Sequence, residues 1–289
     1  MGRWVIAFIA GAALVAVPAA TSEVVVARTV FQSATLRSDA VTGFTVTCQP
    51  GYFALSAGVS APAHGAPTLS IRPLGLRAYA FRFGNPATNP ARHVTAAVAC
   101  RKVRPRAGAT PYFRLRPLRL KPLKLGGGSQ RSTSIGCPPG TVPAGAGYDL
   151  APVRAQGRKH FAGVALSVRS LTRSIHGFSF SLRNDAAKMR TAVLYGTCMT
   201  LVRPPRAANE WLHVRILTAS ADVQRGTHVA KQSCPRRWTA IAVGYALRSG
   251  VSVDGAVALA TSGRWSLRSE SGAPPPVDLQ LACAQLGPR

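Results

Sequence analysis

Cysteine, histidine and carboxylate side chains are the groups in this sequence that could bind a metal or catalyse a reaction. The six histidines are scattered, and the His-x-His, His-x-x-x-His and Cys-x-x-Cys spacings expected of metal sites do not occur. A glycosidase needs two facing carboxylates, whereas the nine acidic residues are well spread. The Gly-x-Ser-x-Gly motif of serine hydrolases is also missing. We therefore predict no enzyme activity, no metal site and no cofactor.

The six cysteines are better suited to disulfide bridges. Read as consecutive pairs, they are separated by 52, 61 and 49 residues. Six cysteines allow about 15 pairings, and internal repetition selects one of them. The predicted bridges are Cys48–Cys100, Cys137–Cys198 and Cys234–Cys283. Each would close a long loop, which is worth roughly 4 kcal/mol when the entropy of the unfolded chain is considered.

The first cysteine of each pair opens a similar stretch of sequence. The three openings are Cys48-Gln-Pro-Gly-Tyr, Cys137-Pro-Pro-Gly-Thr and Cys234-Pro-Arg-Arg-Trp. Ten residues after each of these cysteines stands a glycine, namely Gly58, Gly147 and Gly244. A Pro-Gly turn leads into a strand, and a glycine within a strand indicates a bulge or a close approach of another backbone.

Two further strands recur in each repeat. An aromatic strand with strict alternation occupies residues 79–85, 178–184 and 265–271. The second cysteine of each pair ends another alternating strand, on the same face as apolar residues such as Val98, Leu194 and Leu281. Because strand side chains alternate with period two, these three cysteines are predicted to face a core.

These repeats predict an all-β protein of three homologous disulfide-stapled modules, at residues 24–105, 110–204 and 211–286. A further strand precedes each first cysteine, and Pro-rich joins support the boundaries. The modules could be sandwich-like, or could pack about a pseudo-threefold axis in a prism-like assembly. Because each repeat has the length of a whole small domain, we favour separate modules with substantial contacts.

The repeats resemble modules of uncharacterised exported bacterial proteins, chiefly of the actinobacterial type. The resemblance lies in the Cys-Pro-x-Gly opening, the later Gly-Tyr, the aromatic strand ending in Asn, and the closing Cys, and it covers most of the chain after the N-terminal segment. The third module departs from it, since Arg237 replaces the opening Gly and Ser271 stands where Asn is expected. The resemblance implies no known activity.

The N-terminus has the layout of a secretory signal peptide. Arg3 precedes an apolar run from Trp4 to Val17, and small residues follow. We place cleavage after Ala19, giving a signal peptide of residues 1–19, with Ala20 as the alternative site. The run is shorter than the roughly 20 residues of a spanning helix, so an uncleaved anchor is the less favoured interpretation. We expect a secreted protein, extracellular or associated with the cell wall, with no transmembrane segment after signal removal.

Charge is the most unusual property of the composition. Lys and Arg number 36 against nine Asp and Glu, giving a formal net charge of +27. Residues 40–148 contain 14 of these cations and no acid. The candidate polyanion-binding residues in the densest part are Arg101, Lys102, Arg104, Arg106, Arg114, Arg116, Arg119, Lys121 and Lys124. Prolines at 117 and 122 are compatible with an edge strand or an extended arm, but not with a central strand.

Arginine side chains bind oxyanions through two parallel hydrogen bonds, so this strip predicts contact with an anionic polymer of the envelope or the extracellular matrix. The candidate polymers are teichoic-type wall polymers, acidic polysaccharide, anionic lipid and extracellular DNA. Two alternatives stay open. The protein could be purely structural, with charges that protect a sheet edge from aggregation. It could also bind carbohydrate through exposed aromatic residues, with Trp211, Trp238, Trp265, Tyr148 and Tyr245 as the candidates.

Overall fold

The computed structural model describes residues 25–61, 67–103, 111–150, 153–154, 161–163, 166–203, 211–247, 251–270 and 276–287. All regular elements in these residues are β-strands, as the sequence predicts. No helix in this part of the chain has the length and hydropathy required to cross a bilayer. The signal peptide predicted at residues 1–19 lies outside the described residues.

Each of the three sequence modules contributes a similar succession of strands. Module 1 holds β1 (Val25–Leu36), β2 (Ala40–Thr47), β3 (Phe53–Ala61), β4 (Thr68–Leu74), β5 (Ala78–Asn85) and β6 (Arg92–Val103). Module 2 holds β7 (Tyr112–Arg119), β8 (Leu123–Leu125), β9 (Gln130–Gly136), β10 (Val142–Leu150), β11 (Val153–Arg154), β12 (Phe161–Gly163), β13 (Leu166–Ser174), β14 (Gly177–Asn184) and β15 (Arg190–Val202). Module 3 holds β16 (Trp211–Ala221), β17 (Gly226–Ser233), β18 (Thr239–Ala246), β19 (Val251–Ala258), β20 (Ser262–Ser269) and β21 (Val277–Gly287).

Two of the sheets combine strands from neighbouring modules. One has the order β2-β5-β4-β10-β15-β7, with β8 also on β15, and the other has the order β16-β21-β18-β13-β14-β9. The remaining sheets are β1-β6-β3, β17-β20-β19 and the short pair β11-β12. Neighbouring modules are therefore joined through continuous sheets.

Two of the module junctions are antiparallel strand pairs. Each includes a glycine that stands ten residues after the first cysteine of its module. Tyr148 on β10 pairs with Ile71 on β4, and Tyr245 on β18 pairs with Leu171 on β13. A Cβ atom on Gly147 would overlap the Ile71 carbonyl oxygen, and one on Gly244 would meet the Leu171 carbonyl oxygen.

The same close approach occurs between the first and last modules. A Cβ atom on Gly58 of β3 would overlap the Ala256 carbonyl oxygen of β19. The three glycines that stand ten residues after a cysteine therefore each face a carbonyl group of the neighbouring module. This is the close backbone approach that a glycine within a strand indicates.

The disulfides join the same neighbouring cysteines as the predicted pairing. Cys48–Cys100 and Cys137–Cys198 have Cα–Cα distances of 5.7 Å, and Cys234–Cys283 has one of 5.8 Å. The second cysteine of each pair is fully buried on its strand. Each bridge therefore links the turn before β3, β10 or β18 to the last strand of the same module.

The turn that follows each first cysteine has a residue in the left-handed conformation. This residue is Gly51 (φ 79°) in module 1, Gly140 (φ 75°) in module 2 and Arg237 (φ 68°) in module 3. A residue with a Cβ atom is strained in this region of φ, whereas glycine is not. Module 3 therefore has the same turn with a less suitable residue.

The aromatic strands have eight residues each, and each ends in a buried polar residue, namely Asn85, Asn184 and Ser269. The equivalent of the two asparagines in module 3 is thus Ser269 rather than Ser271, which lies outside the described residues. The Asn184 amide nitrogen donates to the carbonyl oxygens of Leu125 at 3.1 Å, Gly126 at 2.8 Å and Lys188 at 3.0 Å. It thereby ties the turn between β8 and β9 to the turn that follows β14.

The closing strands are buried on both faces. In β6, all residues from Ala96 to Arg101 are buried. One face packs against the aromatic strand of the same module, where Phe81 and Phe83 are buried with Val98. The opposite faces of β15 and β21 join a core that draws side chains from all three modules, with Met199, Ala282 and Ala284 among them.

Candidate functional site

The strand β7 and the short β8 form an edge of their sheet, because both pair with β15. Phe113 and Leu115 point into the core and are buried, whereas Arg114 and Arg116 between and after them are exposed. Pro117 lies within β7 opposite Thr197. Since proline cannot donate a ladder hydrogen bond, an edge strand is the position it tolerates, as the sequence predicts.

Five of the candidate basic residues are exposed along this edge, which we name the basic edge. They are Arg114, Arg116, Arg119, Lys121 and Lys124. Alternate residues of a strand lie about 7 Å apart, so the cations are spread over about 30 Å of extended chain. Among the described residues, one of these five cations lies over an aromatic ring: the Arg119 guanidinium is 6.0 Å from the centre of the Tyr195 ring.

Acidic residues do not neutralise the basic edge within the described part of the chain. The salt bridges there join Arg82 to Asp149 at 2.8 Å, Arg183 to Asp185 at 2.6 Å and Arg268 to Asp254 at 2.8 Å. These three carboxylates thus already have arginine partners elsewhere. The positive charges of the basic edge consequently face solvent.

Arg101 does not belong to this surface, which corrects its prediction as a polyanion-binding residue. The side chain is completely buried. Its Nε donates to the Ala240 carbonyl oxygen at 2.9 Å, and its Nη1 donates to those of Arg28 at 2.7 Å and Cys100 at 2.9 Å. Its Nη2 donates to the carbonyl oxygens of Ala240 and Leu259.

Arg101 therefore ties module 1 to module 3. Burial lowers its pKa to about 9, so the side chain stays charged at neutral pH. The sequence could not reveal this role from charge alone. The repeat does indicate that this position is buried. Arg101 immediately follows the closing cysteine of module 1, and the apolar residues Met199 and Ala284 occupy that position in the other modules.

The other candidates near Arg101 have different positions. Lys102 is half-buried on β6, and its Nζ lies 4.6 Å from the centre of the Tyr52 ring. The Arg28 guanidinium lies 5.7 Å from the same ring. Arg104 and Arg106 lie outside the described residues. The stretch predicted as one strip thus consists of an exposed edge on β7 and β8 and a separate pair of cations around Tyr52.

The aromatic residues considered for carbohydrate stacking do not form one exposed platform. Trp265 is completely buried, and its Nε1 donates to the Gly244 carbonyl oxygen at 3.0 Å. Tyr148 and Tyr245 line a partly open cavity. Trp238 packs half-buried against the core, whereas Trp211 is exposed and has the Arg203 guanidinium 4.2 Å from its ring centre.

Histidine, cysteine and acidic residues come together in no group of three that could hold a metal, within the described residues. All six cysteines are in disulfides. The structure also contains a buried cation that the sequence did not reveal, Arg173, which lines the same cavity. The sequence does hint at this burial, because Arg173 stands two residues after Leu171 and so lies on the same inward-facing side of β13.

No protein-family model and no curated protein matches this chain. What the protein does is therefore inferred from its own geometry and charge. The basic edge is the surface feature with the clearest chemical meaning, because it combines extended backbone, repeated cations and the lack of carboxylate partners among the described residues.

Proposed function

We propose that this chain is an exported, non-enzymatic protein that binds a polyanionic polymer along the basic edge. The observation that carries the proposal is the row of five exposed cations on β7, β8 and their connection, none of which has a carboxylate partner among the described residues. Teichoic-type wall polymers, acidic polysaccharides and extracellular DNA have the required chemistry, since they repeat an oxyanion along an extended chain.

The geometry of the edge favours a polymer over a small anion or an added strand. Cations that recur along about 30 Å of backbone can contact several oxyanions of one chain, and a single small anion would meet only one or two of them. Pro117 and Pro122 limit the pairing of a further β-strand, because neither has an N–H group to donate. The edge is thereby kept available for ligands recognised by charge.

Export is supported by two independent features. The N-terminal sequence has the charged, apolar and small-residue segments of a secretory leader. Three disulfides with no free cysteine suit an oxidising compartment, since thiols are kept reduced in the cytosol. Both features support a location in which the basic edge would meet the anionic polymers outside the cell.

We further propose that the modules are homologous repeats arranged about a pseudo-threefold axis, as in a β-prism. Two sheets join the β4-type strand of one module to the β3-type strand of the next, in the same order. The third junction, between β3 and β19, repeats the approach of a glycine to a carbonyl oxygen. Threefold repetition would present only one basic edge, because β1 and β16 lack the Arg-Leu-Arg alternation of β7.

The proposal is tested by comparing two charge-matched triple variants of the mature protein on immobilised heparin and on purified cell wall. One variant carries R114Q, R116Q and R119Q on the basic edge. The control carries R225Q, R236Q and R264Q, which remove three exposed arginines of module 3 and leave the same net charge. Retention is measured across a series of salt concentrations.

We expect the edge variant to reduce the slope of log K against log salt by about 2–3, because each lost oxyanion contact contributes about 0.7–0.9 to the slope. The control should change it by less than one. Equal weakening by both variants would show that only total charge matters. If the edge variant retained full affinity but precipitated, the charges would serve protection against aggregation instead, and the purely structural alternative would stand.

A further inference from the structure

A cavity of about 60 Å³ lies where the module junctions meet. Its lining includes residues from both sides of each junction. They are Gly58 with Ala256, Ile71 with Tyr148, and Leu171 with Tyr245. Val59 occupies the position after the glycine in module 1, where modules 2 and 3 have tyrosine. The smaller Val59 side chain also lines the cavity.

Arg173 brings a positive charge to this cavity. Its side chain is 7% exposed. Its Nη1 donates to the Val243 carbonyl oxygen, and its guanidinium carbon lies 5.5 Å from the centre of the Phe178 ring. Its Nε is buried and has no hydrogen-bond partner. Among the described residues, no carboxylate pairs with it.

Arg101 shows how this fold satisfies a buried guanidinium when no ligand is required. Its three nitrogens donate to four different carbonyl oxygens. Arg173 donates from its side chain to one carbonyl oxygen, and it borders a cavity that Arg101 does not. A buried charge that lacks both carboxylate and full hydrogen bonding is costly, so a ligand that supplies negative charge would stabilise it.

The remaining polar groups around the cavity are compatible with an anion. Burial raises the pKa of both Tyr148 and Tyr245, so their hydroxyl groups keep their protons and can donate. The Asp254 carboxylate also lines the cavity, but both of its oxygens accept hydrogen bonds from Arg268 at 2.8 Å. Burial lowers the pKa of Arg173 to about 10, which leaves it charged at neutral pH.

We propose that this cavity binds one small inorganic monoanion of halide or nitrate size, held by Arg173 and the two tyrosine hydroxyls. The cavity of about 60 Å³ has ample room for one such ion with bound water, since about 10–15 Å³ suffices to hold one water molecule. The site is separate from the basic edge and does not depend on the proposed polymer binding.

The test measures thermal unfolding of the full mature protein at constant ionic strength while sodium gluconate is replaced by sodium chloride or bromide. Gluconate serves as the reference because it is a much larger organic anion than chloride or bromide. We expect a saturable rise in Tm of about 5 °C at saturating chloride or bromide, because binding to the folded state alone stabilises it. Crystals soaked in bromide should show an anomalous peak within hydrogen-bond distance of the Arg173 guanidinium.

Two variants keep the proposal falsifiable if one of them fails to fold. R173M should abolish the halide response, and Y245F, which keeps the ring, should weaken halide affinity about tenfold. The R114Q, R116Q, R119Q variant should respond like the parent protein, because its changes lie on the basic edge. A cavity that contains only water in bromide-soaked crystals, or a Tm that follows ionic strength and not the identity of the anion, would overturn the proposal.

Discussion

Placing a methyl group on the junction glycines would test the way in which the modules are joined. Gly58, Gly147 and Gly244 each bring their Cα atom against a carbonyl oxygen of the next module. Alanine is the smallest change that adds a Cβ atom, and it alters neither charge nor hydrogen bonding. Gly136 on β9 provides the matched control, because a Cβ atom there would meet nothing within 4 Å.

The magnitude follows from what the new methyl group would meet. The obstacle is a backbone carbonyl within a sheet, which cannot rotate away as a side-chain end can. At Gly244 the added Cβ would lie 2.5 Å from the Leu171 oxygen, and at Gly58 and Gly147 the overlap is more severe. Overpacking in a well-packed core costs about 1–3 kcal/mol. We expect about 2 kcal/mol for G244A and about 3 kcal/mol or more for G147A and G58A.

Guanidinium denaturation followed by tryptophan fluorescence gives the free energies of unfolding. Trp265 reports directly on one junction, since its Nε1 donates to the Gly244 carbonyl oxygen. G136A should be neutral or stabilise by about 0.5 kcal/mol, because alanine restricts the unfolded chain more than glycine. If G147A and G58A were as stable as G136A, the modules could not meet at these carbonyl groups, and the shared-sheet architecture would be refuted.

Three further substitutions test individual residues. R101M should lower the free energy of unfolding by about 2–3 kcal/mol, because it leaves buried carbonyl oxygens without donors, and it should not change salt elution from heparin. R237G should raise the free energy of unfolding by about 1 kcal/mol by relieving a left-handed residue, whereas R236G should not, as comparison of their denaturation midpoints would show. The N184D side chain cannot donate to the three carbonyl oxygens around it. We therefore expect the free energy of unfolding to fall by about 3 kcal/mol, which thermal denaturation would show as a lower Tm than that of the parent protein.

Local sequence patterns were sufficient for the aromatic strands, the closing strands, the turns after the first cysteines and the disulfides. They indicated one strand before each first cysteine, where the structure has two or three. Alternation located the aromatic strands, and the closing cysteines face a core, as their period predicts. The glycine that follows each first cysteine correctly indicated a close backbone approach. These features recur in each of the three repeats, so a single sequence contains them.

The way in which modules share sheets could not be read from the same patterns. Alternation of apolar and polar residues identifies one buried face of a strand, and for the closing strands it predicted only the face that carries the cysteine. The other face of β6, β15 and β21 is buried too, because it meets the core common to all modules. Small residues such as Ala97, Ala99 and Ala282 occupy it, and they have too little hydrophobic surface to stand out in the sequence.

The same limitation explains the misplaced arginine. Charge density alone groups Arg101 with Arg114 and Arg116, although one is buried at a junction and the others are exposed on an edge. They differ in their position in a sheet. Arg101 lies on the central strand β6, opposite Ala27 on β1 and Phe53 on β3. Register between distant strands is set by tertiary packing, which no local run of residues encodes.

The imbalance of charge has a consequence for what this molecule requires from its surroundings. Asp149, Asp185 and Asp254 each bind an arginine in the fold, so their negative charge is already used within the protein. With only nine acidic residues against 36 basic ones, most cations have no acid to pair with at any position in the chain. A compact protein of net charge +27 repels itself, and three disulfides oppose that repulsion by restricting the unfolded state. The remaining counter-charge must therefore come from outside the chain. A polymer with repeated anions, as we propose for the basic edge, would supply it more effectively than dispersed salt ions, because counterions are released when such a polymer binds.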